Sequence, residues 1–340
     1  MEKSSLNRVK VSVCISVHNT AKYLPRCLDS VCAQTLDSLE IVLVNNGSTD
    51  NSEEIMHEYE KLHPERKFVI VKQEDRSLAG GRQTGIDHAS GEYITFLDAD
   101  DLVMPEAYEK MLHCIETQQV DIVEIETTRD GIIWSAPFNG KYDTHEILKY
   151  YFSHAGIRTM MLWLRLYKRC LFDKPVLPDL YTNNEDNFAF PCLLYAASTI
   201  YYLKEPLHTY STDNESSVMN SYLTNPEVSE KFYNSKKKIL LAPKHFEDFV
   251  GKRGIDEFRK EFDCYKAKYF SFFIFHNFLN KSKFDKEQAV IEAGGFSSIK
   301  EMHRFIRKKL PYMLNVFGLI KFIGLDLTYS LYYFKKMHHI

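Results

Sequence analysis

Apolar runs rich in β-forming residues alternate with amphipathic helical runs over the first 125 residues of this chain of 340. Each apolar run is short enough for a buried strand, and the runs between them repeat their apolar residues at helical spacing. Because a strand, a crossover helix and a parallel strand form a βαβ unit, the alternation predicts an α/β fold with a mostly parallel, doubly wound sheet flanked by helices. The predicted strands are Val9–Val17, Glu40–Val44, Phe68–Val71, a run that starts at Gly91, and Val120–Ile125.

The pattern changes after residue 130. Helical and strand-like runs are mixed up to about Ser217, and beyond Asn225 the sequence is helical, aromatic and rich in lysine and arginine. We therefore expect one α/β domain over residues 1–220, with halves at about 9–127 and 128–220, and an α-helical C-terminal region over 221–340. The later elements are predicted as strands at Ile132–Ser135, Thr199–Leu203 and Leu207–Tyr210 and as helices at Asp143–Phe152 and Glu185–Ala196.

The composition narrows the class of protein. Hydrophobic residues make up 44% of the chain, which favours a packed core over disorder. No uninterrupted apolar run reaches the roughly 18 residues that a membrane span needs. The formal net charge is −3, but acidic residues exceed basic ones up to residue 230 and basic residues exceed acidic ones beyond it. The acidic first part argues against nucleic acid as a partner, and the basic second part suggests an anionic one.

The cysteines predict a reduced compartment. There are seven of them, none forms a C-x-x-C pair, and most stand in apolar runs. Because no secretory signal opens the sequence, we expect free thiols that pack as small hydrophobic side chains in a cytoplasmic protein.

Three carboxylates crowd into four residues after the predicted fourth strand. Asp98, Asp100 and Asp101 follow the apolar run from Gly91, and Pro105 is expected in the first turn of the next helix. Open α/β sheets bind ligands at the carboxyl ends of their strands. Carboxylate oxygens suit Mg²⁺ or Mn²⁺, usually shared with substrate phosphates. This acidic turn therefore predicts a divalent ion on the diphosphate of a nucleotide-sugar; the alternative is a solvated turn that caps a helix.

Five ordered segments, spread over about residues 9–218, resemble the family 2 glycosyltransferases. That family has a GT-A fold, a Rossmann-like sheet that binds a nucleotide-sugar, so the resemblance implies that residues 9–127 bind the donor and residues 128–220 face the acceptor. The segments are Ile15–Asn19, Glu40–Asp50, Gly81–Ile86, Asp98–Asp101 and Asn184–Phe188, with Trp163 and Leu166–Lys168 upstream of the last.

The resemblance implies contacts to the nucleoside at the ends of the first two strands. Ser16, His18 and Asn19 would line the nucleobase pocket, with His18 in a place where the family usually has a tyrosine. Asn46 would accept the uracil N3–H. Both Asn45 and Asn46 replace the usual acids, and an amide can donate as well as accept. UDP is thus the favoured nucleotide, and a cytidine donor stays open.

The same resemblance places a diphosphate and metal site nearby. Arg82 would contact the diphosphate or the ribose side, because a guanidinium can donate to phosphate through two N–H groups; the alternative is a surface salt bridge. Asp98 would face the ribose, with Ala99 beside it. Asp100, together with Asp98, would ligate Mn²⁺ or Mg²⁺, and Asp101 would support them.

The remaining roles fall on the second half of the domain. Asp186 is the favoured general base and Glu185 the second choice, and we expect the two carboxylates to point in different directions from a helix start. The alternative is a pair of acids that stabilises the helix macrodipole. His208 would contact the diphosphate from the other side, although a lone histidine is more often structural. Trp163 completes the candidate site residues.

The implied reaction is a metal-dependent, inverting transfer of one sugar to a glycan or lipid-linked saccharide. The Gln-x-x-Arg-Trp motif of processive synthases is absent from the sequence, which favours single addition. Two other classes stay open. A sugar nucleotidyltransferase would use similar acids but wants a glycine-rich loop after the first strand. A non-catalytic subunit that binds a nucleotide-sugar is kept open by Asn45 and Asn46.

The basic, aromatic helices at the C-terminus suggest contact with a membrane surface. Lysines would lie over anionic headgroups, with phenylalanine and tyrosine at the interface, and the protein would be peripheral on the inner face of the membrane. Two alternatives stay open, since such helices can also cap the α/β domain or form a homodimer.

Overall fold

The computed structural model describes residues 8–153, 160–214, 237–275 and 286–309. The strands are β1 Val11–Val17, β2 Leu39–Asn46, β3 Lys67–Gln73, β4 Tyr93–Phe96, β5 Leu102–Val103, β6 Ile122–Arg129, β7 Ile132–Trp134, β8 Gly140–Asp143, β9 Arg165–Lys168 and β10 Thr199–Tyr210. The helices are α1 Leu24–Cys32, α2 Ser52–Leu62, α3 Ser77–His88, α4 Ala107–Gln118, α5 Thr144–Ser153, α6 Asp186–Ala196, α7 Ala242–Phe275, α8 Lys286–Gly294 and α9 Ile299–Lys309.

One sheet runs through the molecule in the order β3-β2-β1-β4-β9-β6-β10-β5, with β7 on β6 and β8 on β10. The pairs among β1, β2, β3 and β4 are parallel, as is the pair of β6 and β10. β9 runs antiparallel between β4 and β6. The predicted α/β class is confirmed, and the sheet is parallel from β3 to β4 and mixed beyond β4.

The parallel part forms because its strands are apolar on both faces. Every residue of β2 and β4 is buried, which is typical of a sheet covered by helices on both sides. α1 adds a stripe of buried residues at helical spacing, Leu24, Cys27, Leu28 and Val31. Each such side chain contributes about 1.5–3 kcal/mol relative to an exposed one, so the edge of the sheet that carries the polar loops is held rigidly.

Three local predictions differ from the structure. α4 begins at Ala107 rather than at Pro105, and the carbonyl of Pro105 accepts a hydrogen bond from the Thr35 N–H at 2.9 Å. The two strands predicted around Pro206 are one strand, β10, whose register shifts at that proline because it cannot donate to the ladder. The short strands β5, β8 and β9 had no counterpart in the sequence analysis.

The described C-terminal helices pack on the α/β domain. α7 contacts α5 and α6, and its buried Phe246, Phe258 and Phe262 belong to the same hydrophobic core as the sheet. Gly251 interrupts α7 with φ of +68°. α8 and α9 join α7 through a smaller cluster that includes Phe270, Val290 and Met302. The apolar stretch from residue 310 onward lies outside the described residues.

Two further sequence expectations can be placed. All seven cysteines lie in described segments as free thiols, and all but Cys170 and Cys264 are buried. Among the described helices, none combines the length and the apolar character that a bilayer crossing requires.

Candidate active site

The polar loops after β1, β2 and β4 lie side by side at one edge of the sheet. Val17 at the end of β1 is paired with Asn45 in β2, and the Leu97 N–H after β4 donates to the Cys14 carbonyl at 3.1 Å. Asn19 Oδ1 accepts from the Thr49 N–H at 2.7 Å and so joins the first two loops. Parallel strands therefore gather these loops, as the sequence predicted.

The segment before α6 is fastened to the start of α3. The Thr182 N–H donates to Ser77 Oγ at 2.9 Å, and the Ala79 N–H donates to the Thr182 carbonyl at 3.2 Å. Asn183 Oδ1 accepts from the Leu78 N–H at 2.9 Å. Ser77 adopts φ of +63°, an unusual conformation for a residue with a side chain. These bonds bring the acids that begin α6 onto α3, more than 100 residues earlier in the chain.

Arg82 is the centre at which the acids meet. Its Nη1 donates to Glu185 Oε1 and, at 3.0 Å, to Asp186 Oδ1, and its Nη2 donates to Asp98 Oδ1 at 2.8 Å. The side chains of Arg82 and Glu185 are 3% and 1% exposed, whereas those of Asp98 and Asp186 are 27% and 22% exposed. Arg82 is therefore a buried cation among three carboxylates rather than a surface salt bridge. The expectation that the carboxylates of Glu185 and Asp186 point apart is wrong, because both reach one guanidinium nitrogen.

One cation against three carboxylates leaves an excess of negative charge, and the pKa values show it. Burial, with the nearby Asp186 carboxylate adding to it and Arg82 opposing it, raises the pKa of Glu185 to about 8. The pKa of Asp186 is also raised, first by burial, and Arg82 again opposes the shift. Glu185 is thus mostly protonated at pH 7, whereas the more exposed Asp186 is the better placed of the two to accept a proton from a ligand.

The carboxylate of Asp186 is oriented through one of its oxygens. Oδ1 accepts from Arg82 and from the Leu162 N–H, at 3.0 and 3.1 Å. Among the described residues, no hydrogen bond engages Oδ2. The free oxygen and the partial exposure of the side chain are what a general base needs in order to reach an incoming hydroxyl.

The acidic turn holds two further buried carboxylates. Burial and the neighbouring Asp101 and Asp98 raise the pKa of Asp100 to about 7. Asp101 is 1% exposed, and burial followed by the charge of Asp98 raises its pKa well above the usual value. Its Oδ1 accepts from the Ser211 N–H at 2.8 Å, while its Oδ2 is buried without a hydrogen bond. Asp98, Asp100 and Asp101 therefore repel one another in a partly dry site.

These residues fit a divalent cation. Among the described residues, no three His, Cys, Asp or Glu side chains form a complete metal cage. A Mg²⁺ or Mn²⁺ site commonly uses one or two carboxylates and takes its other ligands from water and substrate phosphates. The raised pKa of Asp100 and the orphaned oxygen of Asp101 are features that a bound cation would relieve.

The segment Ser211–Asn214, which the sequence analysis left without a role, ties the acidic turn to α1 and to the β6–β7 turn. Asn214 Nδ2 donates to Asp100 Oδ2 at 2.7 Å, and Arg26 donates through two nitrogens to Asp213, both at 2.6 Å. Thr212 Oγ1 donates to Asp130 at the β6–β7 turn at 2.6 Å. The dense turn-forming composition of this segment gave no hint of these long-range contacts.

His208 lies beneath the acidic turn. It is 1% exposed, its Nδ1 hydrogen-bonds Thr127 Oγ1 at 2.8 Å, and its Nε2 lies 3.4 Å from Asp101 Oδ2. Trp163 stacks on its ring with centroids 4.2 Å apart, and Tyr210 stacks on the other side of Trp163 at 5.8 Å. Burial lowers the pKa of His208 to about 3, so the ring is neutral. His208 and Trp163 thus support the acidic turn from below, and the predicted contact of His208 with a diphosphate would require it to reach through that turn.

The residues proposed to contact the nucleoside differ in how far they are exposed. His18 and Asn19 are exposed; the His18 Nδ1–H donates to the carbonyl of Asn46 at 2.8 Å, and Asn19 adopts φ of +53°. Ser16 is half-buried below them, and a Cβ at Gly81 would collide with it, which explains why α3 has a glycine there. Ala99 is buried and offers only its backbone.

Asn46 is engaged within the protein. Its Oδ1 accepts from Gln73 Nε2 at 2.7 Å and from the Arg76 N–H at 3.1 Å, and its Nδ2 donates to the Ser77 carbonyl at 2.9 Å. Asn45 is likewise paired with Glu53 and with the Ser48 N–H. The predicted bond from Asn46 to uracil therefore requires one of these internal bonds to open.

The sequence is also similar to known glycosyltransferases. The model of the family described as glycosyl transferase family 2 matches residues 12–161. Glycosyltransferase EpsH of Bacillus subtilis is 30% identical over 268 residues, which cover 75% of this chain and 73% of EpsH. Glycosyltransferase GlyA of Streptococcus pneumoniae is 30% identical over 213 residues, 59% of this chain, and the match spans only 30% of GlyA.

Solved structures of the same general shape include Staphylococcus aureus TarS. Residues 1–349 of TarS, in complex with UDP-GlcNAc, superpose with a TM-score of 0.62 and 20% sequence identity, over 88% of this chain and 85% of that one. At 20% sequence identity, this similarity shows only that the two proteins share a fold.

Proposed function

This chain belongs to glycosyltransferase family 2, and from that premise we propose that it transfers a single sugar from a UDP-sugar to a glycan or lipid-linked saccharide, with inversion at the anomeric carbon. The observation that carries the proposal is the meeting of Asp98, Glu185 and Asp186 on Arg82 at the carboxyl edge of the sheet. It joins an acid that follows β4 to two acids at the start of α6 within one small site, which supports a donor and an acceptor meeting there.

Asp186 is the base in this proposal. As the acceptor oxygen bonds to the anomeric carbon, the bond from that carbon to the diphosphate oxygen breaks, and the acceptor proton passes to Asp186 Oδ2. A raised pKa makes the carboxylate a stronger base than a free aspartate. Glu185 is almost completely buried and largely protonated at pH 7, so its role is to share Arg82 and fix the position of Asp186.

Asp100 and Asp98 would hold Mn²⁺ or Mg²⁺ beside the diphosphate, with Asp101 behind them. When bound, the ion neutralises charge on the leaving nucleoside diphosphate. Arg82 supplies a fixed positive charge next to this site. Because its donors point to Asp98, Glu185 and Asp186, it acts on the diphosphate through the field of this charge cluster unless one of those bonds opens.

The nucleobase would lie over Ser16, His18 and Asn19. The exposed His18 ring, fixed by its bond to the Asn46 carbonyl, supports stacking on a base. Because the Asn46 side chain is fully engaged, we propose that backbone groups near β2 read the base, and the preference for UDP over a cytidine nucleotide is correspondingly modest.

The test is a transfer assay on a panel of nucleotide-sugars with Mn²⁺ and a saccharide acceptor. Release of a nucleoside diphosphate together with a glycosylated product of inverted configuration supports the proposal. Release of inorganic diphosphate would mark a sugar nucleotidyltransferase, and binding without turnover on the whole panel would mark a non-catalytic subunit. Asp87→Asn is the matched control, since Asp87 is exposed on α3 and, within the described part of the chain, its side chain accepts a hydrogen bond from Gln83 alone.

Contact with a membrane surface is a separate proposal for the C-terminal region. α9 carries Lys300, Arg304 and Lys308 around a buried Met302, an arrangement that suits anionic headgroups. Co-sedimentation with anionic but not neutral vesicles at low salt, lost in Lys300→Glu/Arg304→Glu, supports it, and equal recovery with both vesicles contradicts it.

A further inference from the structure

We propose that Arg165 positions Asp186 for proton transfer through the peptide group that joins Met161 to Leu162. The inference rests on the assignment of Asp186 as the base. Arg165 lies on β9, outside the residues that carried the resemblance to the family, and its contacts alone point to this role.

The guanidinium of Arg165 is held in one place. Its side chain is fully buried, and its Nε and Nη2 both donate to Glu124 Oε2, at 2.9 and 2.6 Å. The two residues are register partners on the adjacent antiparallel strands β6 and β9. The ring of Phe190, from α6, lies 4.1 Å from the guanidinium carbon. A cation fixed on so many sides can orient whatever its remaining nitrogen touches.

That remaining nitrogen touches the peptide group that contacts Asp186. Arg165 Nη1 donates to the Met161 carbonyl at 2.7 Å, and the Leu162 N–H donates to Asp186 Oδ1 at 3.1 Å. The carbonyl and the N–H belong to the same planar peptide group, in which they point in opposite directions. Arg165 thus fixes the carbonyl of a rigid peptide group whose N–H hydrogen-bonds Asp186. A hydrogen bond to the carbonyl also polarises the amide and strengthens its N–H as a donor.

The Leu162 N–H donates its hydrogen bond to Asp186 and not to the other two acids around Arg82. Arg82 also donates to Asp186, but its other hydrogen bonds go to Glu185 and Asp98. Two donors hold Oδ1 and leave Oδ2 without a hydrogen bond among the described residues. Without the hydrogen bond from this peptide group, the carboxylate of Asp186 could rotate about its hydrogen bond to Arg82, and Oδ2 would no longer be positioned to accept the acceptor proton.

Kinetics separate this positioning role from a structural one. Arg165→Lys keeps a positive charge beside Glu124 but cannot serve Glu124 and the Met161 carbonyl together. We expect kcat to fall about tenfold or more, with the KM for the donor unchanged. Because this variant could fold poorly, Arg165→Met/Glu124→Met provides a second, uncharged replacement of the pair, for which the same split is expected.

Arg66→Lys is the matched control. Arg66 donates to the carbonyls of Cys32, Gln34 and Leu36 and has no link to Asp186. We expect it to lower thermal stability without changing kcat per folded molecule. The proposal is overturned if both Arg165 variants keep their kcat, or if kcat falls only in proportion to the folded fraction.

Nuclear magnetic resonance tests the bridge without relying on catalysis. Labelling methionine carbonyl carbons and leucine amide nitrogens selects the three Met–Leu peptide groups of the chain, at residues 111–112, 161–162 and 313–314, and loss of one signal in Leu162→Ile assigns it. We expect the Leu162 amide proton to move upfield in Arg165→Lys and in Asp186→Asn. An unmoved signal overturns the bridge. A moved signal together with an active Asp186→Asn would overturn the base assignment and leave the bridge standing.

Discussion

Two buried arginines, Arg82 on α3 and Arg165 on β9, organise this molecule in different ways. Arg165 is paired with one carboxylate, Glu124, and the pair is electrically balanced. Arg82 faces three carboxyl groups, those of Asp98, Glu185 and Asp186, so its surroundings stay negative even when Glu185 is protonated. The balanced pair joins two strands and can be replaced without leaving a stranded charge. The unbalanced cluster stores repulsion that a ligand or a proton can relieve, which is why we place the chemistry there.

The largest expected effect is on the free energy of unfolding, and a second substitution should restore it at Arg165 but not at Arg82. Arg165→Met strands Glu124 in the core and should cost about 3–5 kcal/mol of stability, whereas Arg165→Met/Glu124→Met should recover most of it. Arg82→Met/Glu185→Met should not recover, because Asp98 and Asp186 still repel each other. Urea unfolding at pH 7 compares each double variant with its single variant, Arg165→Met or Arg82→Met. Equal rescue at both centres would show that the Arg82 cluster is balanced by groups we have not identified.

A pH series sharpens the comparison. Because the folded pKa of Glu185 is about 8 and that of Asp100 about 7, both above their values in the unfolded chain, the folded state loses stability as pH rises from 6.5 to 8. The loss should be on the order of 1–2 kcal/mol. His208 opposes this loss only weakly, by up to about 0.4 kcal/mol near pH 6.5, because its folded pKa is about 3 and its unfolded pKa near 6.5. Thermal melts in metal-free buffer should therefore show a decline in wild type that is shallower in Glu185→Gln; parallel curves would contradict the raised pKa.

A smaller effect is expected at the acidic turn. Asp100→Asn removes one of three repelling charges and keeps an oxygen that can accept from Asn214. We expect it to raise the stability of the metal-free protein at pH 8 by up to about 1 kcal/mol, while abolishing the stabilisation that Mn²⁺ gives to wild type through preferential binding to the folded state. Stabilisation by Mn²⁺ that persists in Asp100→Asn would remove this residue from the metal site.

The sequence predicted the parallel half of the sheet better than the mixed half, for a physical reason. Strands β1, β2 and β4 are almost entirely buried and read as apolar runs, and parallel pairing then brings their loops together. β9 has the sequence Arg-Leu-Tyr-Lys, which carries no such pattern, because its arginine is satisfied by Glu124 on a strand 41 residues earlier in the chain.

The candidate site shows the same limit. Asp98, Glu185 and Asp186 could be named from local motifs, but their meeting on Arg82 depends on how α3 and α6 pack. The resemblance to the family assigns Asn46, the last residue of β2, to the base, yet its amide is used by Gln73, Arg76 and Ser77. The spacing of residues in the sequence does not reveal hydrogen bonds between distant segments. These bonds decide which polar residues remain available to a ligand.

The most direct test compares kcat for Asp186→Asn and Glu185→Gln under saturating donor and acceptor at pH 7. Asp186→Asn removes the base and should lower kcat by roughly 10²- to 10⁴-fold. Glu185→Gln replaces a mostly protonated acid by a neutral amide that can still accept from Arg82, so its kcat should stay within about tenfold of wild type. The reverse order, with Glu185→Gln inactive and Asp186→Asn active, would contradict the account.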